Sequence, residues 1–216
     1  MYETLFDMSK NCSSRIHVDS RRKVAREAAV LLYTSQEKEY KQAKERAALN
    51  LCIRILPTNI EVARELDFIA EENEGHLRQE RLIRMRKEAL ETMFALELFN
   101  PKLVGSVWRG TVNINSDIDI AVYSSNRDQV LRKIKEKGFN IVKTEVIFGP
   151  SQKNAKESFH ITVMFPSGDK AEIVVRDTED KNQRNKCEIY GDEIKGLNTR
   201  QLSKILKEDP LRRFVP

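Results

Sequence analysis

Two aspartates one residue apart, Asp117-Ile118-Asp119, follow a Gly-Ser pair, Gly105-Ser106, after a spacer of ten residues. In an extended strand, residues i and i+2 project from the same face, so both carboxylates would point one way. Two hard oxygen donors on one face suit Mg²⁺ or Mn²⁺, which take few protein carboxylates and complete their shells with water and substrate phosphates. Two such ions ~3.5–4 Å apart could activate an attacking hydroxyl and neutralise a pyrophosphate leaving group. A glycine where a strand ends lets the backbone approach a bound group with no Cβ in the way. The adjacent amides and the Ser106 hydroxyl could then donate to phosphate oxygens, and Arg109 adds a planar cation able to grip a phosphate with two prongs. A lone Gly-Ser is only a turn, and a lone pair of acids at a strand end is usually a solvated face. The combination at this spacing, followed by an apolar strand, points to phosphate chemistry.

The full run, LVGSVWRGTVNINSDIDIAV, resembles the motif of the nucleotidyltransferase superfamily that includes DNA polymerase beta. That motif is a hydrophobic residue, Gly-Ser, about ten residues, then Asp-hydrophobic-Asp. It is similar in finer detail to the small prokaryotic members, in which Gly-Ser-x-x-Arg-Gly precedes Ser-Asp-Ile-Asp; Gly105, Ser106, Arg109, Gly110, Ser116, Asp117, Ile118 and Asp119 all fit. The resemblance implies that Gly105 and Ser106 hold a nucleoside triphosphate, with Arg109 and Ser116 as further nucleotide contacts. It also implies that Asp117 and Asp119 bind the metal ions. The family usually supplies a third carboxylate from a neighbouring strand. Glu172 is the candidate, as a metal ligand and catalytic group, because it interrupts the apolar run KAEIVV, where a charge needs a reason. The surrounding SFHITVMFPSGDKAEIVV looks like the corresponding hairpin of archaeal tRNA CCA-adding enzymes, which carry Asp at that place. Glu is one methylene longer. The whole chain is similar to an archaeal group of predicted nucleotidyltransferases.

What the resemblance implies is transfer of a nucleoside monophosphate from a triphosphate, ATP foremost, to an acceptor hydroxyl, releasing pyrophosphate. A protein, an RNA end or a small molecule could be the acceptor. The alternative is an inactive nucleotide-sensing or protein- or RNA-interaction module; retention of both acids argues against it. His17, His76 and His160 are isolated in sequence; His160 begins the hairpin strand and could face the site, though a plain strand histidine is the commoner case, and Trp108 could stack on a base or simply pack its loop.

The elements that must position these residues change character along the chain. Helical spacing of Val24, Ala28, Leu31 and Leu32 predicts a helix from about Asp19 to Leu32. A second is expected over Lys38–Ile55, capped by Ser35 and stopped by Pro57. A third opens at Thr58, with Glu61 placed for a capping box, and Gly75 punctuates. A fourth spans about Arg78–Phe99 before Asn100-Pro101. From Lys102 the pattern predicts strand, strand, helix (Asn126–Lys137, closed by Gly138), strand, a polar loop over Gly149–Glu157, a hairpin, and a last helix over Thr199–Lys207. The expected fold is α+β: a mixed β-sheet nucleotidyltransferase core over 77–216, backed by helices and preceded by an all-helical N-terminal region, 1–76.

Bulk properties agree with this reading. With 40% hydrophobic and 33% charged residues the chain reads as globular and not disordered. Residues 1–98 hold 17 basic and 17 acidic side chains, leaving 21 against 16 in residues 99–216, so the second half carries the whole net charge of +5. A field of that sign favours polyphosphate or nucleic acid there. The neutral helical half lacks a basic stripe for gripping RNA, which tilts the expectation toward single transfers onto a protein, with a protein partner on that half. Cys12, Cys52 and Cys187 are single and far apart, which removes any zinc ligand set and suits a reducing compartment. No signal peptide or apolar run of ~20 residues is evident, so the expected location is cytoplasmic, with no membrane partner.

Overall fold

The computed structural model describes residues 3–148 and 157–216. Their contacts divide into two compact units, the first comprising Met1–Gly75, Asn113–Asn115 and Glu188–Tyr190, the second the remainder.

The first unit is helical. Helix α1 spans Glu3–Tyr33, α2 Tyr40–Asn50, and α3 begins at Asn59. Its core is made of small side chains, Ala25, Ala28, Ala29, Ala43 and Ala47, with Val24, Leu31, Val62 and Ile69. Helix α1 is longer than the predicted Asp19–Leu32. Helix α2 is shorter than Lys38–Ile55, and Ser35 does not cap it: Ser35 sits at φ 56° in the turn, and Glu39 occupies the N-cap position. The helix stops before Pro57 because Cys52 turns left-handed at φ 55°. The capping box at Thr58 forms as expected. The Thr58 amide donates to Glu61 Oε2 at 2.7 Å, and the Glu61 amide to Thr58 Oγ1 at 3.3 Å. At Gly75 (φ 49°, ψ −126°) the backbone leaves helical geometry, and helical structure resumes as far as Ala95.

In the second unit, α3 ends in a 3₁₀ turn, Glu97–Phe99, and left-handed Asn100. Strand β1 (Lys102–Val104) leads directly into the one-turn helix α4 (Gly105–Arg109), where the sequence pattern predicts no helix. Then come β2 (Ile118–Tyr123), α5 (Arg127–Glu136), β3 (Asn140–Phe148), β4 (Glu157–Met164), β5 (Lys170–Arg176), a 3₁₀ turn at Thr178–Asn182 and α6 (Thr199–Glu208). The Asn126 side chain caps α5, and Asn198 with Gln201 forms a capping box on α6. Of the expected polar loop Gly149–Glu157, residues 149–156 lie outside the described residues, and Glu157 opens β4.

The sheet runs β1-β2-β5-β4-β3, with β2 and β5 parallel and the other neighbours antiparallel. Period-two alternation gives it two unlike faces. Ile118, Ile120, Val122, Ile161, Val163, Ala171, Ile173 and Val175 are buried on one face. They join Leu82, Met85 and Met93 of α3, Val130 and Ile134 of α5, and Leu202 and Ile205 of α6 in a single core. The other face carries Asp119, Tyr123, Ser158, His160, Thr162, Glu172 and Arg176, all only half-buried. Core packing on one face therefore fixes which side chains line the other. Among the described residues no helix is long and apolar enough to cross a membrane.

Candidate active site

The site is set by register. Val104 of β1 is the partner of Asp119 in β2, so Gly105, the next residue, leaves the strand beside the Asp119 carboxylate. A Cβ on Gly105 would collide with Asp119 Oδ2 and stand 2.8 Å from its Cγ. The residue also has φ 69°, in the left-handed region. Both facts demand glycine. The close approach expected of Gly105 is thus made to the protein's own carboxylate as the chain turns into α4. Ser106 follows, half-buried, its carbonyl accepting from the Thr111 amide at 3.0 Å.

On the other side of Asp119 lies Glu172, its register partner across the parallel β2–β5 pair. Asp117 precedes β2, and its carboxyl is pushed above the usual range by burial and by Glu172 and Asp169, with Lys170 pulling the other way. The Asp119 carboxyl is pushed up to about 7 by burial, then by Glu172 and Asp117. Three carboxyl groups therefore act on one another here, and burial sharpens their repulsion. Ser116 is half-buried just ahead of them.

Glu172 is not free to turn. His160 Nδ1 lies 2.8 Å from its Oε1, and His160 Nε2 lies 2.8 Å from Ser158 Oγ. With Glu172 ionised, the Nδ1–H donates to the carboxylate and Nε2 accepts from the serine hydroxyl. Of the two readings of His160, the one that faces the site describes it; the strand register brings it to Glu172.

Arg109 takes a different position from a phosphate contact. It is 4% exposed. Its Nη2 and Nη1 donate to Asp192 at 2.6 and 3.2 Å, and Nη1 also to the Phe214 carbonyl at 2.9 Å. The guanidinium carbon lies 4.6 Å from the centre of the Trp108 ring. Trp108 is itself buried and stacks on Phe214, so of its two readings the packing one describes it. Sequence reasoning missed Arg86 of α3, which is fully buried and donates to four carbonyls. Its place on a helix rich in Lys, Arg and Glu gave no sign of that.

Among the described residues no three His, Cys, Asp or Glu side chains are gathered where they could hold a metal ion. Glu172 therefore does not stand with Asp117 and Asp119 as a third ligand, and one of its oxygens is engaged by His160. The donor set still fits a hard divalent cation. The oxygens are carboxylates, and Asp117 and Asp119, raised first by burial and then by neighbouring carboxylates, would each be favoured in the ionised form by a cation. An open set of that kind suits Mg²⁺, which shares its shell with phosphate oxygens and water.

The family model described as "nucleotidyltransferase domain" matches residues 102–175, the span from β1 to β5. No curated protein matches the chain. Among solved structures, Cid1 in complex with the UTP analogue UMPNPP is similar at 18% identity and TM-score 0.34, over 68% of this chain and 42% of that one. The GLD-2/RNP-8 complex is similar at 15% identity and TM-score 0.34, over 56% and 40%. An aminoglycoside 6-adenyltransferase from Bacillus subtilis is similar at 15% and TM-score 0.26, over 43% and 34%. The chain spans less than half the length of each of these three.

Proposed function

We propose, from the match of residues 102–175 to the nucleotidyltransferase domain model, that this chain moves a nucleoside monophosphate from a triphosphate to an acceptor hydroxyl. Pyrophosphate leaves. The observation that carries the reading is the convergence on Asp119 of Gly105 from one side and Glu172 from the other.

In this reading the amides at Gly105 and Ser106, with the Ser106 hydroxyl, receive the triphosphate oxygens, and Ser116 adds a contact at the mouth of β2. Asp117 and Asp119 would hold Mg²⁺ or Mn²⁺, with Glu172 alongside. When bound, the ion supplies charge neutralisation to the triphosphate and its leaving group. Glu172 accepts the proton of the acceptor hydroxyl, held for that task by His160 at 2.8 Å. No covalent enzyme intermediate is needed, because alignment of hydroxyl and α-phosphorus with charge stabilisation suffices. Arg109, tied to Asp192, serves the framework of the loop in this account.

ATP is the proposed donor. The acceptor is a hydroxyl of a protein, an RNA end or a small molecule, with a protein favoured because the N-terminal half is electrically neutral. A protein partner on that helical half belongs to the same proposal.

Incubation with each α-³²P nucleoside triphosphate and Mg²⁺ or Mn²⁺, with and without total RNA and cell lysate, tests the reading. Label should pass to an acceptor in the wild type and not in the Asp117→Ala/Asp119→Ala protein. Metal-dependent nucleotide binding without transfer would instead support a sensor. Absence of both would overturn the site.

A further inference from the structure

Helix α4 carries the proposed triphosphate-binding residues, yet it spans only Gly105–Arg109. A single helical turn has too few internal hydrogen bonds to hold its own shape. Something else must hold it, and the structure shows what. Arg86 donates from Nε to the Val107 carbonyl at 3.1 Å and from Nη2 to the Trp108 carbonyl at 3.0 Å. The same guanidinium donates to the Pro210 carbonyl at 2.7 Å and the Arg212 carbonyl at 2.8 Å. One fully buried cation thus ties the C-terminal end of α4 to the segment Pro210–Phe214. A positive charge at that end also complements the helix dipole.

The same segment grips α4 twice more. The Phe214 amide donates to the Arg109 carbonyl at 2.9 Å, and Arg109 Nη1 returns a bond to the Phe214 carbonyl at 2.9 Å. The Phe214 ring stacks on Trp108 with centroids 6.3 Å apart and planes 25° apart. Gly110, at φ 75°, lets the segment pass: a Cβ there would stand 3.1 Å from the Arg212 carbonyl oxygen. Val107, Trp108 and Arg109 are therefore each held by Arg86 or by this segment. Gly105 packs against Asp119.

We infer that Pro210–Phe214 is a working part of the nucleotide site, a strap that sets the position of Gly105 and Ser106, with Arg86 and Phe214 as positioning residues. This rests on the reading of Gly105 and Ser106 as the triphosphate site. The strap's contacts are with Trp108, Arg109 and Gly110, so it acts through the loop and not on the nucleotide. Loosening it should weaken nucleotide binding well beyond any general loss of stability.

Trp108 is the chain's single tryptophan, so its fluorescence reports the strap contact directly. The experiment compares wild type, Phe214→Ala, Phe214→Tyr and Arg86→Lys for Trp108 emission, melting temperature and binding of labelled ATP with Mg²⁺. Val130→Ala, on the buried face of α5, serves as a destabilised control. Phe214→Ala should shift Trp108 emission and weaken ATP binding about tenfold or more, while Phe214→Tyr keeps both near wild type. Val130→Ala should lower the melting temperature yet leave ATP affinity within twofold. Arg86→Lys should resemble Phe214→Ala; if it fails to fold, the Phe214 pair still decides. Shifted emission with unchanged ATP affinity in Phe214→Ala would overturn the inference alone. So would an equal loss in Val130→Ala. A wild type that binds no ATP would overturn the nucleotide-site reading and the inference with it.

Discussion

Asp119 and Glu172 face each other as register partners across the one parallel pair among the described strands, β2 and β5. Their juxtaposition follows from core packing, because Ile118 and Ile120 flank Asp119, Ala171 and Ile173 flank Glu172, and all four are buried. Sinking those neighbours into the core turns both acids to the same outer face.

Burial of Asp119, with Glu172 and Asp117 beside it, gives stability a pH dependence. The Asp119 carboxyl titrates at about 7 in the fold, against about 3.9 in an unfolded chain. The native state therefore holds a proton that the unfolded state releases, and stability falls as pH rises from about 4 through 7. Asp119→Asn carries no charge at any of these values. In metal-free buffer its melting temperature should gain on the wild type at pH 8 by clearly more than at pH 5. An equal difference at both pH values would contradict the raised carboxyl.

Gly105→Ala should be disabling for two reasons at once, the collision with Asp119 and the left-handed φ of 69°. Strain alone costs about 1–3 kcal/mol, and the displaced carboxylate should reduce transfer by two orders of magnitude or more. Gly138→Ala is the matched control: φ is 75° but nothing lies within 4 Å of the added carbon. It should lose stability with transfer kinetics unchanged. Equal activity losses in the two variants, measured beside their melting curves, would remove the special status of Gly105.

Glu172→Gln retains the shape and a partner for His160 but cannot take a proton. Turnover should fall by about 10²–10⁴, with KM for the triphosphate changed little. If KM rose and turnover held, Glu172 would be a binding group and not the base.

Arg109 and Asp192 should behave as a pair. A double-mutant cycle with Arg109→Ala and Asp192→Ala, read by denaturant unfolding, should give a coupling of about 1–3 kcal/mol. Additive effects would release Arg109 from its structural role and return it to the phosphate.

Much of this arrangement was legible in the sequence wherever a short period carried it. Alternation along SDIDIAVY placed Ile118, Ile120 and Val122 inside and Asp119 outside, and Thr58 with Glu61 marked a helix start through a local exchange of hydrogen bonds. The Gly-Ser and Asp-Ile-Asp spacing located the segment that matches the family model. What escaped depends on contacts between distant residues. Arg86 reads as one more solvated cation on a charged helix; its burial is decided by carbonyls of Val107, Trp108, Pro210 and Arg212. His160 meets Glu172 only through the register of β4 on β5. Ser35 has the chemistry of a cap, but its left-handed backbone puts it in the turn instead.

The most direct test of the central claim is which phosphorus moves. Parallel reactions with α-³²P and γ-³²P ATP, Mg²⁺ and an acceptor-containing lysate should label the acceptor from the α position only. The γ label should appear in pyrophosphate, and Asp119→Asn should abolish both signals. Acceptor labelled from the γ position, or transfer that survives Asp119→Asn, would contradict nucleotidyl transfer at this site.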